Sequence, residues 1–200
     1  MGRSVQLGVA AVGAALAGTE GWEAIPPERR ALFVGASPEL GDPNDLSYAL
    51  NAASKSGTFD LQAFAEDGIN LIHPLWLVRG LSNNVIGFAS AVHNFQGVNA
   101  NYCDGRRGGW NALMEGIEAV AEGRADVVVA GGADSFVGAE PMVGVPCGEG
   151  AAFLVLRPAA DHEDEIVPGD PALLQGIEEE LGYLGAAAAP VAWVRANCAF

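Results

Sequence analysis

Residues 97–135 read GVNANYCDGRRGGWNALMEGIEAVAEGRADVVVAGGADS, and this stretch decides the fold. Val98 to Tyr102 is a short run with strand character. Asp104 is placed to cap a helix running from Arg106 to Glu122. Trp110, Leu113, Met114, Ile117 and Val120 recur at spacings of three and four, so they should form that helix's core face. Gly123 supplies a C-cap. Ala125 to Ala130, ADVVVA, is almost wholly apolar, as expected of a strand covered on both faces. Gly131 and Gly132 should end it.

The alternation continues on either side. Ser4 to Ala17 places Val5, Val9, Val12 and Leu16 on one helical face, closed by Gly18 and Gly21. Arg30 to Gly35, RALFVG, reads as a buried strand. A weaker helix is expected over Leu46 to Ala53, and Lys55 to Gly68 is expected to be irregular. After Pro74, Ser82 or Asn83 should cap a helix through Val85, Ala89 and Val92. Gly150 to Arg157 is another strand, and Leu173 to Leu181 a final helical segment. Helices alternating with strands imply an α/β protein, layered around a mainly parallel sheet with a buried central helix. The acidic, proline-containing Pro158 to Pro171 suggests a boundary: one domain over 1–157, then an acidic linker and short helical remnant over 158–200.

Composition excludes several function classes. The net charge is −15 and Lys55 is the only lysine, which argues against nucleic acid and anionic membranes as partners. No apolar run is long enough to span a bilayer. Cys103, Cys147 and Cys198 are few and odd in number, which fits a reduced, cytoplasmic protein better than a disulfide framework. His73, His93 and His162 are scattered, so no metal site is expected, and no cofactor is called for. Packing or surface roles suit His73 and His93.

From His73 to Ser135 the sequence resembles the β-ketoacyl synthases, in particular the ketosynthase and chain-length-factor subunits of type II polyketide systems. HPLWLVRGLSNNVIGFAS, the 97–135 stretch and GEGAAFLVL at Gly148 to Leu156 match family motifs in the same order. The resemblance implies a thiolase-like fold made of two similar halves, of which this sequence carries the motifs of the first. The match begins near the first helix of that half, so its opening strand is expected to be missing. It also implies a cysteine at the start of the buried helix, where the dipole and backbone N–H groups favour a thiolate. Two histidines from the second half would assist decarboxylation and condensation.

Here the sequence departs from the pattern. Arg106 lies nine residues after Gly97 and twenty before Asp126, and both spacings are those of the family's cysteine. The resemblance therefore puts arginine at the nucleophile position. A guanidinium stays protonated and cannot accept an acyl group. It also sits badly at a helix N-terminus, so it should have a carboxylate or solvent to pair with. Cys103 is the rival nucleophile, with CDG imitating the family's motif; otherwise it is a small residue closing a strand. GYLGAAAAPVAWVRA, from Gly182, resembles the segment that carries a catalytic histidine, and there Tyr183 stands in its place; an alanine-rich helix explains it equally.

The expectation is thus a non-catalytic, chain-length-factor-like subunit supporting a β-ketoacyl synthase in polyketide or fatty-acid-type biosynthesis. In the family, the strand matching Val98, Asn99, Ala100, Asn101 and Tyr102 pairs across the dimer, so a complete ketosynthase or a second copy is the expected partner. Acyl carrier proteins are acidic, so a −15 chain would leave carrier docking to that partner. Three alternatives stand beside it. One is an active acyltransferase using Cys103. Another is a homodimeric binding protein in which Arg106 grips an anionic acyl ligand. The last is a relic without a role.

Overall fold

Val127, Val128 and Val129 are wholly inaccessible to solvent. The computed structural model describes residues 1–39, 43–55, 57–158 and 171–197. In chain order these form α1 (Arg3–Ala17), β1 (Arg30–Gly35), α2 (Ser47–Ala52), β2 (Ser54–Lys55), β3 (Thr58–Phe59), α3 (Leu61–Glu66), α4 (Trp76–Arg79), α5 (Asn84–His93), β4 (Asn99–Tyr102), α6 (Gly108–Ala121), β5 (Val127–Ser135), α7 (Glu140–Val143), β6 (Glu149–Leu156), α8 (Pro171–Leu181) and α9 (Ala188–Asn197). They fall into two units, one comprising Met1–Glu39 and Ser82–Phe200, the other Leu40–Leu81.

The first unit is built on a four-stranded sheet in the order β4-β1-β5-β6. β1 runs parallel to both β4 and β5, while β6 is antiparallel to β5. Alternation along the strands sends Leu32, Val34, Val129, Ala133 and Phe153 into one face, where Val5, Val12 and Leu16 of α1 and Val85, Ile86 and Ala89 of α5 cover them. Ala31, Phe33, Val128 and Ala130 enter the other face, under Ala112, Leu113 and Ala119 of α6. α9 packs on β6 and α6, with Leu184, Ala188 and Ala192 closing a third apolar cluster. This is an α/β/α layering with a mainly parallel sheet; α6 and α9 pack next to each other on it, and α6 is buried along one face only.

Four expectations need correction. The buried face of α6 is made of Gly108, Gly109, Ala112, Leu113, Gly116 and Ala119, whereas Met114 is 43 % exposed. Small residues win because α6 lies so close to the sheet: a Cβ on Gly116 would come within 2.9 Å of the Ala130 Cβ. Trp110 and Val120 pack at the margin instead. Second, β5 runs on through Gly131 and Gly132 to Ser135. Those glycines do not end the strand. They admit the carbonyls of Ala152 and Ala186, which lie where a Cβ would stand.

Third, Asp104 does not cap α6, which follows a 3-10 turn at Gly105–Arg107 and has no side-chain cap. Its carboxylate pairs with Arg107 at 3.3 Å and accepts from Asn111 Nδ2. Neither Ser82 nor Asn83 makes a cap bond to α5; the Ser82 hydroxyl accepts from Asn101 Nδ2 at 3.2 Å. Fourth, within the second unit the span read as irregular holds the β2–β3 hairpin and α3. Gly57 turns the hairpin at φ 79°, and Asp60 caps α3 by accepting the Ala63 N–H at 2.9 Å.

Candidate functional site

The chain leaves β4 at Tyr102, passes Cys103 and Asp104, and turns at Gly105, whose φ of 50° favours glycine. Arg106 follows, on the turn that leads into α6. Gly35 lets β1 and the start of α6 meet backbone to backbone, since a Cβ there would fall on the Gly109 nitrogen, and Gly108 does the same for β4, where a Cβ would come within 2.6 Å of the Tyr102 carbonyl oxygen.

Two C-terminal residues converge on Arg106. Its Nε donates to both carboxylate oxygens of Glu178, at 2.9 and 2.7 Å. Its guanidinium stacks over the Tyr183 ring, 4.9 Å from the centroid. Tyr183 in turn packs on Phe136 with ring centroids 4.8 Å apart. The two positions that the sequence marked as departures are thus neighbours in space, and the carboxylate expected for Arg106 is Glu178. The Arg106 side chain is 56 % exposed, so solvent screening keeps this pair's contribution to stability small. Its Glu178 hydrogen bond holds the guanidinium further above its ordinary range. Burial pushes the Tyr183 phenol up, with Arg106 opposing, so it stays neutral near pH 7.

Beneath this pair lies a residue the sequence reading did not single out. Asp134 is 1 % exposed. Its Oδ1 accepts the Ser37 N–H at 2.8 Å. Oδ2 accepts the Ser37 hydroxyl at 2.9 Å and the Ala186 N–H at 2.6 Å. Burial pushes its carboxyl up to about 6 against the pull of these three donors. Asp134 thus pins the turn Gly185–Ala187, directly after Tyr183, to the end of β1. A lone aspartate ending the apolar run VVVAGGAD was its only signal in the sequence.

No thiol stands where Arg106 does. Cys103 is exposed on the loop ahead of the turn. Cys147 forms a bridge with Tyr183 through the backbone, and its Sγ donates to the Val145 carbonyl at 3.3 Å. Burial, then Glu140, pushes that thiol up, away from the reactive thiolate. His73 Nδ1 accepts the Leu75 N–H, and His93 ends α5 near Gly13 of α1. His162 and Cys198 lie outside the described residues. Among the described residues there is no cluster able to hold a metal ion, and no helix is long and apolar enough to cross a membrane.

β4 is an edge strand. The carbonyls of Val98, just before it, and of Tyr102 at its end accept from Leu32 of β1 and from Ala36, the residue after β1. By alternation, the backbone groups of Asn99 and Asn101 point away from the sheet.

No protein-family model and no curated protein matches this chain. Solved structures do. One is a type II PKS acyl-carrier protein in complex with its ketosynthase bound to the hexaketide, at TM-score 0.60 and 19 % identity, covering 78 % of this chain and 47 % of that one. A β-ketoacyl synthase from Burkholderia phymatum STM815 gives TM-score 0.57 at 18 % identity, covering 98 % and 61 %. The ishigamide ketosynthase/chain length factor gives 0.51 at 18 %, covering 84 % and 46 %. The fold is that of the thiolase-like ketosynthases, and the chain spans between 46 % and 61 % of these neighbours' lengths.

Proposed function

We propose that this chain is a non-catalytic, chain-length-factor-like subunit. It pairs with a complete ketosynthase through β4 and supports β-ketoacyl condensation in polyketide or fatty-acid-type biosynthesis. The observation that carries this reading is the Arg106 cluster. At the position where the resemblance places a thiolate, a cation is held by Glu178 and stacked on Tyr183. Neither group can form a thioester there, and the phenol cannot replace an imidazole near neutral pH. What such a chain can still offer is a surface. The outward backbone groups of β4 suit antiparallel pairing with a second ketosynthase-like chain. The acidic balance, −15, fits a subunit that leaves the acidic carrier protein to its partner.

Co-expression with a genetically adjacent ketosynthase should yield a complex on size-exclusion chromatography. Asn99→Pro removes one outward N–H and no bond to β1, so it should abolish the complex while leaving the monomer folded. A stable chain that never associates with the ketosynthase would contradict the proposal.

A second reading rests on the Arg106 Nη atoms, which have no partner among the described residues. They could hold the carboxylate of an acyl ligand. Arg106→Ala would then abolish binding of a dicarboxylic acyl thioester without unfolding the chain.

A further inference from the structure

The two C-terminal helices have an apolar cluster of their own. Ile177, Leu184, Ala187, Ala188 and Ala192 form it, with Val191 packed beside them, and every member belongs to α8, α9 or the turn between them. The clusters on the two faces of the sheet contain none of these residues. Arg195 of α9 also donates to Glu180 of α8 at 3.0 Å, so the helical hairpin is tied to itself by charge as well.

The surface that receives this hairpin is rich in glycine. Gly108, Gly109 and Gly132 meet Ala186, while Gly148 and Gly150 meet Leu184. Alanine and backbone packed on glycine bury little apolar area for the length of the seam. Polar ties hold it instead. Tyr183 N–H donates to the Pro146 carbonyl at 2.8 Å, and Gly148 N–H donates to the Tyr183 carbonyl at 3.0 Å. Arg106 holds Glu178, and Ala186 N–H donates to Asp134 at 2.6 Å. Of these ties, the last is made to a titratable side chain that is 1 % exposed. A segment with its own cluster and such a seam is a unit that opens before the whole protein unfolds.

We propose that the α8–α9 hairpin opens from the sheet as a unit, that Asp134 is its latch, and that closing it takes up a proton. The geometry makes the turn a cover for the carboxylate. Gly185 has a φ of 54°, and a Cβ there would collide with Asp134 Oδ2. Lifting the turn removes the Ala186 donor and returns the carboxyl to water. In the closed form, burial holds Asp134 up at about 6 against the Ser37 and Ala186 donors, with Glu39 raising it further. In the open form it falls back towards its ordinary 3.8. The closed form therefore binds the proton more tightly. That advantage is fully present below about pH 4 and is lost as pH rises through about 6. The charged groups around the latch have partners elsewhere. Glu39 accepts the Arg3 N–H at 2.6 Å, and the Arg3 guanidinium lies on Glu149, which also accepts from Ser135. Tyr183, on the turn itself, stays neutral near pH 7. Opening also parts Arg106 from Glu178 and Tyr183, so the start of α6 is shielded in the closed form. The inference does not depend on pairing through β4.

Native-state hydrogen exchange of the full chain, read by mass spectrometry at urea concentrations below the unfolding transition, tests this. Peptides from 177–192 should exchange through an opening with little urea dependence, whereas β5 should exchange only through global unfolding. After correction for the intrinsic exchange rate, the hairpin's opening constant should rise about tenfold between pH 5 and pH 8. Ser37 is only partly buried, and Ser37→Ala removes a donor that favours the charged carboxylate. That variant should move the whole profile to higher pH. A hairpin and a β5 that share one opening energy and one urea slope would overturn the inference. So would a separate opening whose constant is flat with pH, or a profile that Ser37→Ala leaves in place.

Discussion

At about pH 5, Asp134→Ala should lower the unfolding free energy by roughly 2–4 kcal/mol, and at about pH 8 by markedly less. The loss at low pH comes from stranding buried donors: the N–H groups of Ser37 and Ala186 and the Ser37 hydroxyl all point at this one side chain. The narrowing with pH follows from its titration. Burial raises the folded carboxyl from its ordinary 3.8 to about 6. A raised value means that the folded protein binds the proton more tightly than the unfolded chain. That stabilisation is fully present below about pH 4 and is lost as pH rises through about 6. A shift of this size corresponds to roughly 3 kcal/mol between the two limits. The variant lacks this titration, so the gap between the two proteins closes as the wild type acquires its buried charge. Urea unfolding followed by circular dichroism across this pH range measures it. A gap that stays constant would mean that Asp134 is ionised throughout.

Gly109→Ala should cost about 3 kcal/mol or more, an unusually large effect for one methyl group. Its Cβ would fall on the Ala186 carbonyl and within 2.7 Å of the Pro190 ring. Neither neighbour is the end of a flexible side chain, so the turn and α9 would have to lift from α6. Gly87→Ala is the matching control. Gly87 is exposed in the middle of α5, and an added methyl group there would meet nothing within 4 Å, so alanine should stabilise by about 0.5–1 kcal/mol. Thermal denaturation of both variants separates a packing effect from a general glycine effect.

These two sites also show what the sequence could and could not reveal. β1 was legible to the residue, because RALFVG is apolar, short and closed by glycine. The order of the main helices and strands of the first unit, α1, β1, α5, β4, α6, β5 and β6, was legible from the same kind of pattern. The face of α6 was not. Periodicity selects large apolar residues, and this helix meets the sheet through Gly108, Gly109, Ala112 and Gly116, where closeness of approach matters more than side-chain volume. β5 was read too short because glycine usually marks an end, whereas Gly131 and Gly132 admit neighbouring carbonyls. At the site, Arg106 and Tyr183 each stood out against the family pattern. Their contact did not, since it depends on α8 bringing Glu178 and the following turn back to the start of α6. Asp134 escaped notice because the partners of a buried carboxylate are backbone groups far along the chain.

Whether the start of α6 presents a guanidinium in place of a reactive thiol decides between a supporting subunit and an enzyme. Intact-protein and peptide mass spectrometry after incubation with an acyl-carrier thioester tests this most directly. The expected result is no stable acyl adduct on any cysteine, with Cys103 still free to react with iodoacetamide. A stable acyl group on Cys103 would contradict it and make this chain a condensing enzyme in its own right.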